Sequence, residues 1–522
     1  MSVSFNTIPS GVRVPLFYAE IDNSAAFTPS ESTQSLLIGQ MLATGTAEAG
    51  KPVTVSTAAM AKQLFGRGSM LARMVAAYRT VDSFGQLVCI PLADVTNSVA
   101  ASAEVTFSGN ATEAGTLSFY IGGSRVRVSV AEGAEAGVVA QALADAISLQ
   151  KDLPVTAGAA DAVCTITARN RGSLGNGILL ALNLRGLING EKTPMGLGIE
   201  LAAMTGGTTD PDIAAAVEAM GDAQYDFIGV PYSDAAVLDA FQTEMNDTSG
   251  RWAPFRQIYG HVYTAKRGDV NALKTFGNAR NDQHCTIVGV EPELPTPIEE
   301  VLAAYLARTS VFISADPARP TQTGVLTGVM AAPSESRFIT TDRQTLLENG
   351  IATLTTTSGT VMIERAVTTY QRNSFGDADA SYLDSETMHT LAYVLRRMKS
   401  LITTKYARHK LANDGTRYGA GQAIVTPSVI RGELVALSAA RAFGDCRECG
   451  SLQAVPDCRK ECRQSESAGC PLPARSRQSA PHLCGPQSVP SSVRGGIRNG
   501  KETSRHLLLQ GGRRTARTSG GP

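Results

Sequence analysis

Several stretches of this chain carry residue types at spacings that could do chemistry. Gly45-Thr-Ala-Glu-Ala-Gly50-Lys51-Pro52 comes within one residue of a phosphate-binding loop. That loop needs a hydroxyl after the lysine to hold magnesium, and a helix whose amide end faces the phosphate. Pro52 supplies no hydroxyl and Val53-Thr-Val55 reads as a strand, so nucleotide binding is not expected. Cys446-x-x-Cys449, with Cys458 and Cys462, has the spacing of a zinc knuckle. Phe65-Gly-Arg-Gly-Ser69 could offer amides to an anion, or its glycines could simply allow a tight approach of two helices. Asp226 and Asp234 bracket a predicted strand end, where open α/β sheets often place active sites, but no base accompanies them. There is no Gly-x-Ser-x-Gly elbow, no cysteine in a nucleophile context and no metal-ligating pair of histidines, and His284 reads as a packing or turn residue. An α/β enzyme of unknown substrate and a zinc-binding module remain as readings of these residues. No catalytic, cofactor-binding or metal-ligating residue is assigned, and no cofactor is expected.

Composition narrows the classes further. Residues 438–522 hold 14 basic against 6 acidic side chains, which leaves 33 against 41 in the rest, so the main body is mildly acidic. No basic patch of the kind that binds nucleic acid appears there. Cys89, Cys164 and Cys285 are scattered singly, which suits a reducing compartment. No apolar run reaches the roughly 18 to 20 residues that a membrane span needs.

The elements that would position these residues alternate between strand and helix. Residues 1–27 read as an extended arm in which Val12, Val14, Leu16 and Tyr18 alternate, the pattern of a strand donated to a sheet edge. Residues 28–97 give strand, helix, strand, with Ser56 to Thr80 as one helical pattern and Gln86 to Leu92 as an apolar strand. Residues 98–205 change texture to short alternating strands around one amphipathic helix, Ala136 to Leu149, and read as an inserted β-rich domain. Residues 206–335 return to α/β alternation. In 336–437, Ser358-Gly359 marks a hairpin, and Asp384 to Tyr406 is the longest helix. Met388, Leu391, Val394, Leu395, Met398 and Ile402 form its apolar face. Arg396, Arg397, Lys399 and Lys405 lie on the opposite side, as a solvated face or a docking face for an acidic partner. The fold class is therefore α+β or α/β and multidomain.

From Ser438 onward the pattern of a folded protein stops. Six of the nine cysteines fall between Cys446 and Cys484, and Phe443 is the only aromatic in the last 85 residues. Permitted codons for Gly444 to Val455, read one nucleotide later, give GIVENVEAFKQ. The same shift of Arg475 to Ser492 gives DLVNQLRIFAVLNQFRLQ, which regains helix and strand periodicity. A stop at Val493-Arg494, a purine-rich stretch at Gly495-Gly496 and an ATG across Asn499-Gly500 follow in order. The tail thus reads as a frameshifted ending, and a zinc site there as an artefact of it.

Ala61-Lys-Gln-Leu-Phe-Gly-Arg-Gly-Ser-Met-Leu71, Tyr225-Asp-Phe-Ile-Gly-Val-Pro-Tyr232, Asn278-Ala-Arg-Asn-Asp282 and Arg431-Gly-Glu-Leu434, in this order, resemble the contractile phage tail sheath proteins of the Mu-like type. The resemblance covers essentially Met1 to Leu437. It implies a structural subunit with a subtilisin-like core that lacks protease chemistry. Such subunits stack as six-membered rings around a tail tube protein, between baseplate and tail terminator, and contract to drive the tube through an envelope. It further implies terminal arms that pair with neighbouring copies, an outward-facing insertion, and a location in the virion tail after assembly in host cytoplasm. Arg396, Arg397, Lys399 and Lys405 become the candidate tube contact.

Overall fold

Continuous apolar runs, the pattern of strands buried on both faces, build the centre of the molecule. The computed structural model describes residues 33–419 and 422–442. The arm strand expected at Val12, Val14, Leu16 and Tyr18 lies outside them, as do Cys446, Cys449, Cys458 and Cys462 and almost all of the frameshifted ending. β1 (Gln34–Gln40) is buried from Ser35 to Gln40. After a loop come β2 (Val53–Thr54), α1 (Ala58–Phe65), α2 (Met70–Val81) and β3 (Gln86–Leu92). The single helix expected over Ser56 to Thr80 is thus two. Gly66 and Gly68 adopt φ of 86° and 80°, which breaks the helix, and Ser69 restarts it by accepting a 3.2 Å bond from the Ala72 amide.

Residues beyond β3 form strands of a different kind. β4 (Ser102–Ser108), β5 (Gly115–Ile121), β6 (Ser124–Val130), α3 (Ala136–Leu149), β7 (Val155–Ala160), β8 (Val163–Ala168), β9 (Leu180–Leu182) and β10 (Gly198–Leu201) follow in order. They make two antiparallel sheets, β10-β4-β8-β7 and β6-β5-β9. β4 and β6 alternate buried and exposed, as strands with one wet face do. α3 turns Val139, Ala140, Leu143, Ala144 and Ile147 inward, and the residues from Ala101 to Met204 share a hydrophobic cluster of their own.

The chain then returns through α4 (Ala214–Met220), β11 (Phe227–Gly229), α5 (Ala235–Met245), β12 (His261–Arg267), α6 (Val270–Asn278), β13 (Cys285–Val290), α7 (Ile298–Ala315), β14 (Val325–Met330), α8 (Thr340–Glu348), β15 (Ile351–Thr357) and β16 (Thr360–Arg365). α9 (Ser385–Tyr406), β17 (Lys410–Leu411), β18 (Ile424–Val425) and α10 (Pro427–Ala442) complete the described chain. The central sheet has nine strands in the order β14-β16-β15-β13-β12-β11-β1-β3-β2. Its six middle strands, from β15 to β3, run parallel. The sheet continues past residue 336 through the hairpin β15–β16, whose turn residues Ser358 and Gly359 both have positive φ. α7 is nearly wholly buried against this sheet, from Val301 to Ala307 and at Ile313.

Candidate functional site: the two edges of the core sheet

Parallel strands give the sheet two unlike edges, and the chain order fixes where a ligand crevice would open. From β1 the chain moves outward to β3 on one side, then returns to β11 and continues through β12, β13 and β15 on the other. Between β1 and β11 the order reverses. In open α/β sheets, ligands bind outside the carboxyl ends of the strands at such a reversal.

Next to that place, the chain covers its own strand ends. Asn170 and Arg171, just past the end of β8, project across the carboxyl ends of β1 and β3. The Asn170 side-chain amide donates to the Met41 carbonyl (3.1 Å) and to Asp94 (3.2 Å), and its oxygen accepts the Met70 amide at 2.8 Å. Met70 opens α2, so Asn170 satisfies one of the amides that a helix start leaves without a partner. Gln40, at the end of β1 and fully buried, donates to Asp94 and to the Arg171 carbonyl, both at 2.7 Å. The Arg171 amide in turn donates to Asp94 (3.2 Å). What remains beside Met70, Arg73, Asn170, Arg171 and Glu299 is about 10 Å³, room for about one water at most.

The seam extends on either side of this plug. At the end of β12, Arg267 donates to the Gly177 carbonyl and, at 2.8 and 2.9 Å, to the carbonyls of Leu294 and Thr296. Gly122 passes so close to Pro297 that a Cβ would sit 2.9 Å from its ring, so glycine is required there. Lys62 and Arg67 both reach Asp152, at 2.9 and 3.0 Å. Arg67's hydrogen bond leads in holding that carboxyl down at about 2, against its partial burial.

The amino edge is built differently. Asp226 precedes β11 and is 2% exposed. It accepts the Gln34 amide at 2.9 Å and a hydrogen bond from the Arg396 guanidinium on α9, forming a largely buried ion pair. Asp234 lies at the other end of β11, where it caps α5 by accepting the Val237 amide at 3.1 Å. The two aspartates are therefore separated by the strand and form no acid–base pair. His261 opens β12 and bonds Thr286 at 2.8 Å, while His389 on α9 lies 2.7 Å from the Tyr263 hydroxyl. Burial, with Arg396 nearby, depresses His389 to about 3; burial, with the neighbouring His389 and His284, also pushes His261 well below the usual range. Both are neutral core residues. His284 is likewise a packing residue, tilted onto Trp252 at 4.7 Å with its Nε2 3.0 Å from Asp247.

α9 crosses from inside to outside. Its start is anchored by Glu386, which accepts the Thr321 amide and hydroxyl at 2.8 Å each and whose carboxyl is pushed up by burial. Of the apolar face expected for this helix, Met388 is buried, whereas Leu391, Val394, Leu395, Met398 and Ile402 are only half-buried. The helix outruns the core that would cover them. Among the four expected basic residues, Arg396 is engaged by Asp226, Arg397 is half-buried and Lys399 is exposed. Lys405 pairs with Glu433 of α10, which also accepts from the Tyr406 hydroxyl at 2.8 Å. The structure does not gather these four into one free patch.

The two near-motifs also resolve. The segment from Gly45 to Lys51 leads into β2 rather than a helix, and Lys51 pairs with Glu48 on the surface. The glycines of Phe65-Gly-Arg-Gly-Ser69 serve close packing: a Cβ on Gly68 would lie 2.6 Å from the Leu153 carbonyl of the β-rich segment, and one on Gly66 2.7 Å from the Thr44 hydroxyl. Sequence reasoning missed Asn170 altogether, and no local signal distinguishes it from any polar residue after a strand.

Among the described residues, no three His, Cys, Asp or Glu side chains gather where they could hold a metal, and no helix is long and apolar enough to cross a membrane. Further along the seam a space of about 260 Å³ stays open beside Lys62, Gly68, Arg73, Asp152 and Glu300. The fold is a mixed α/β core whose β1 and β3 ends are covered by its own chain and whose exit helix α9 is only half-covered.

The family is identified by comparison. The model of the phage tail sheath protein central domain matches residues 206–369. The Mu-like prophage FluMu tail sheath protein of Haemophilus influenzae is 41% identical over 441 residues, spanning 84% of this chain and 89% of that protein. The chain belongs to the Mu-like phage tail sheath family and is a structural subunit of a tail sheath. Solved sheath tail proteins from Desulfitobacterium hafniense (12% identical, 83% of this chain and 89% of that one, TM-score 0.42) and Listeria innocua (11%, 72% and 78%, TM-score 0.39) are also similar to it.

Proposed function

We propose that this subunit polymerises as six-membered rings stacked helically around a tail tube, between a baseplate and a tail terminator, and that the assembled sheath shortens to drive the tube through a host envelope. Assembly takes place in host cytoplasm and the product is part of the virion tail. The observation that carries this reading is the covered carboxyl edge. With the carboxyl ends of β1 and β3 covered by Asn170, Arg171, Gln40 and Asp94, a core of subtilisin-like type would be left as a rigid body without protease chemistry. Its output is a difference between two packings of identical copies, for which a few kcal/mol per subunit suffices when many act together.

In this reading residues 1–27 form an arm whose strand at Val12, Val14, Leu16 and Tyr18 adds to a neighbour's sheet. A suitable receiver is the pair β17–β18, only two residues per strand and parallel, too small to be stable without further strands. Residues 98–205 form the outward-facing domain. Residues 206–335 continue the core begun in 28–97, and 336–437 carry the inner, C-terminal part. Of the expected tube contact Arg396, Arg397, Lys399 and Lys405, the proposal keeps the outer part of α9 at Arg397 and Lys399, since Arg396 is turned to Asp226 and Lys405 to Glu433. Residues 438–522 replace a native C-terminal arm through a frameshift. The test is removal of residues 1–27 from the chain with its frame restored after Ser438. The shortened chain should keep its melting temperature and lose sedimentable assemblies; assemblies of unchanged yield and order would refute the arm.

A further inference from the structure

The two edges of the core sheet differ in one more respect, which points to the face that a neighbouring copy covers. Among the described residues three phenylalanines are exposed: Phe84 at 98%, Phe255 at 75% and Phe375 at 87%. All three belong to the amino edge. Phe84 sits in the turn that enters β3, where Asp82 accepts the amides of Phe84 (3.2 Å) and Gly85 (2.8 Å). Phe255 sits between α5 and β12, in a loop closed at its base by the Trp252 indole donating to the Gly260 carbonyl at 2.9 Å. Phe375 tips the turn that Asn373 holds by accepting the amides of Phe375 (2.9 Å) and Asp377 (3.1 Å). That turn is bolted to the segment entering β13, since Asn281 accepts the amides of Gln371 and Arg372 at 2.8 and 3.0 Å.

Along the sheet order β13-β12-β11-β1-β3, the row reads Phe375, Phe255, the Asp226–Arg396 pair, the chain entry at Gln34, and Phe84. At about 4.8 Å per strand this is a line of roughly 19 Å. Single exposed apolar residues are ordinary. Three aromatic rings on backbone-fixed turns along one edge, while the β-rich segment occupies the opposite edge, are the form of pre-organised anchors for a protein interface. Gln34, where the described chain enters β1, lies on this same edge, between Phe255 and Phe84 in strand order.

We infer that the amino edge, through Phe84, Phe255 and Phe375, is a docking surface for a second copy of this chain. The inference rests on the self-assembly proposed above. Sedimentation and light scattering of the full chain, with and without the reading frame restored after Ser438, provide the test. Converting the three phenylalanines to serine should raise the concentration needed for self-association by about 30-fold or more and leave the melting temperature unchanged. Leu187→Ser with Ile188→Ser, on an exposed tip of the β-rich segment, should alter neither. Unchanged association of the triple variant overturns the inference. Loss of tail tube protein capture with self-association intact also overturns it and reassigns the edge to the tube. If the unsubstituted chains never associate at any concentration, the sheath-polymer reading fails first and this one with it.

Discussion

Replacing Asn170 with alanine removes the hub of the plug, and the loss can be worked from its partners. The Met70 amide (residue 3% exposed) and the Met41 carbonyl (8%) would both be left buried. Asp94 keeps bonds from Gln40 and from the Arg171 amide. An unsatisfied buried backbone group costs about 1–3 kcal/mol, so two give about 2–6 kcal/mol. The void left by the side chain enlarges a space of about 10 Å³ enough for a water, which recovers part of that, so about 2–4 kcal/mol is expected. Arg171→Ala is the control. Arg171 contributes to the plug through its backbone, and its side chain makes only a 3.4 Å bond to the Ser98 carbonyl; its loss should stay within about 0.5 kcal/mol. Urea unfolding followed by the fluorescence of Trp252, the single tryptophan, reports both. A loss below about 0.5 kcal/mol for Asn170→Ala would refute the claim that the β-rich segment covers the carboxyl ends of β1 and β3.

Other outcomes follow from the amino edge and the exit helix. Arg396→Ala leaves the Asp226 carboxylate buried and should cost about 2–4 kcal/mol, below the usual 3–5 because Arg396 is 18% exposed; adding Asp226→Asn should recover part of it, and a strictly additive double variant would deny the pairing. His389, held at about 3 against an ordinary 6.5, contributes stability that is fully present above pH 6.5. It is lost as pH falls toward 3, at about 1.4 kcal/mol per pH unit, while Glu386 and Glu300, whose carboxyls are raised by burial, act in the opposite direction. His389→Gln should therefore flatten the fall in urea midpoint between pH 6.5 and 4, and identical slopes would dismiss the assignment. Charge reversal at Arg397 and Lys399 should preserve stability within about 0.5 kcal/mol and abolish assembly around a tube; sheaths that still enclose a tube, seen by electron microscopy, would reject that contact.

Local patterns in the sequence were readable where one short segment decides the structure. β3, α3, the Ser358-Gly359 hairpin and the extent of α9 all appear where apolar spacing or turn chemistry places them. The break between α1 and α2 was harder, because Gly66 and Gly68 are tolerated within a helical pattern until positive φ is seen. The features that define the site were not legible. Asp226 and Arg396 meet across 170 residues, and Asn170 meets Met70 across 100; nothing local to either residue encodes the partner. The apolar spacing of α9 did not give its buried residues: the helix is covered over its first two turns, from Ser385 to Thr390 and at Ala392, since how far a helix outruns its core depends on elements elsewhere in the chain.

The central claim is that the chain works by joining identical copies rather than by transforming a ligand. Electron microscopy of the purified chain with its frame restored after Ser438 tests it most directly. Ordered tubes or stacked six-membered rings from that chain, and monomers or irregular aggregates from the chain as encoded, are the predicted result. A repaired chain that remains solitary at high concentration would contradict it.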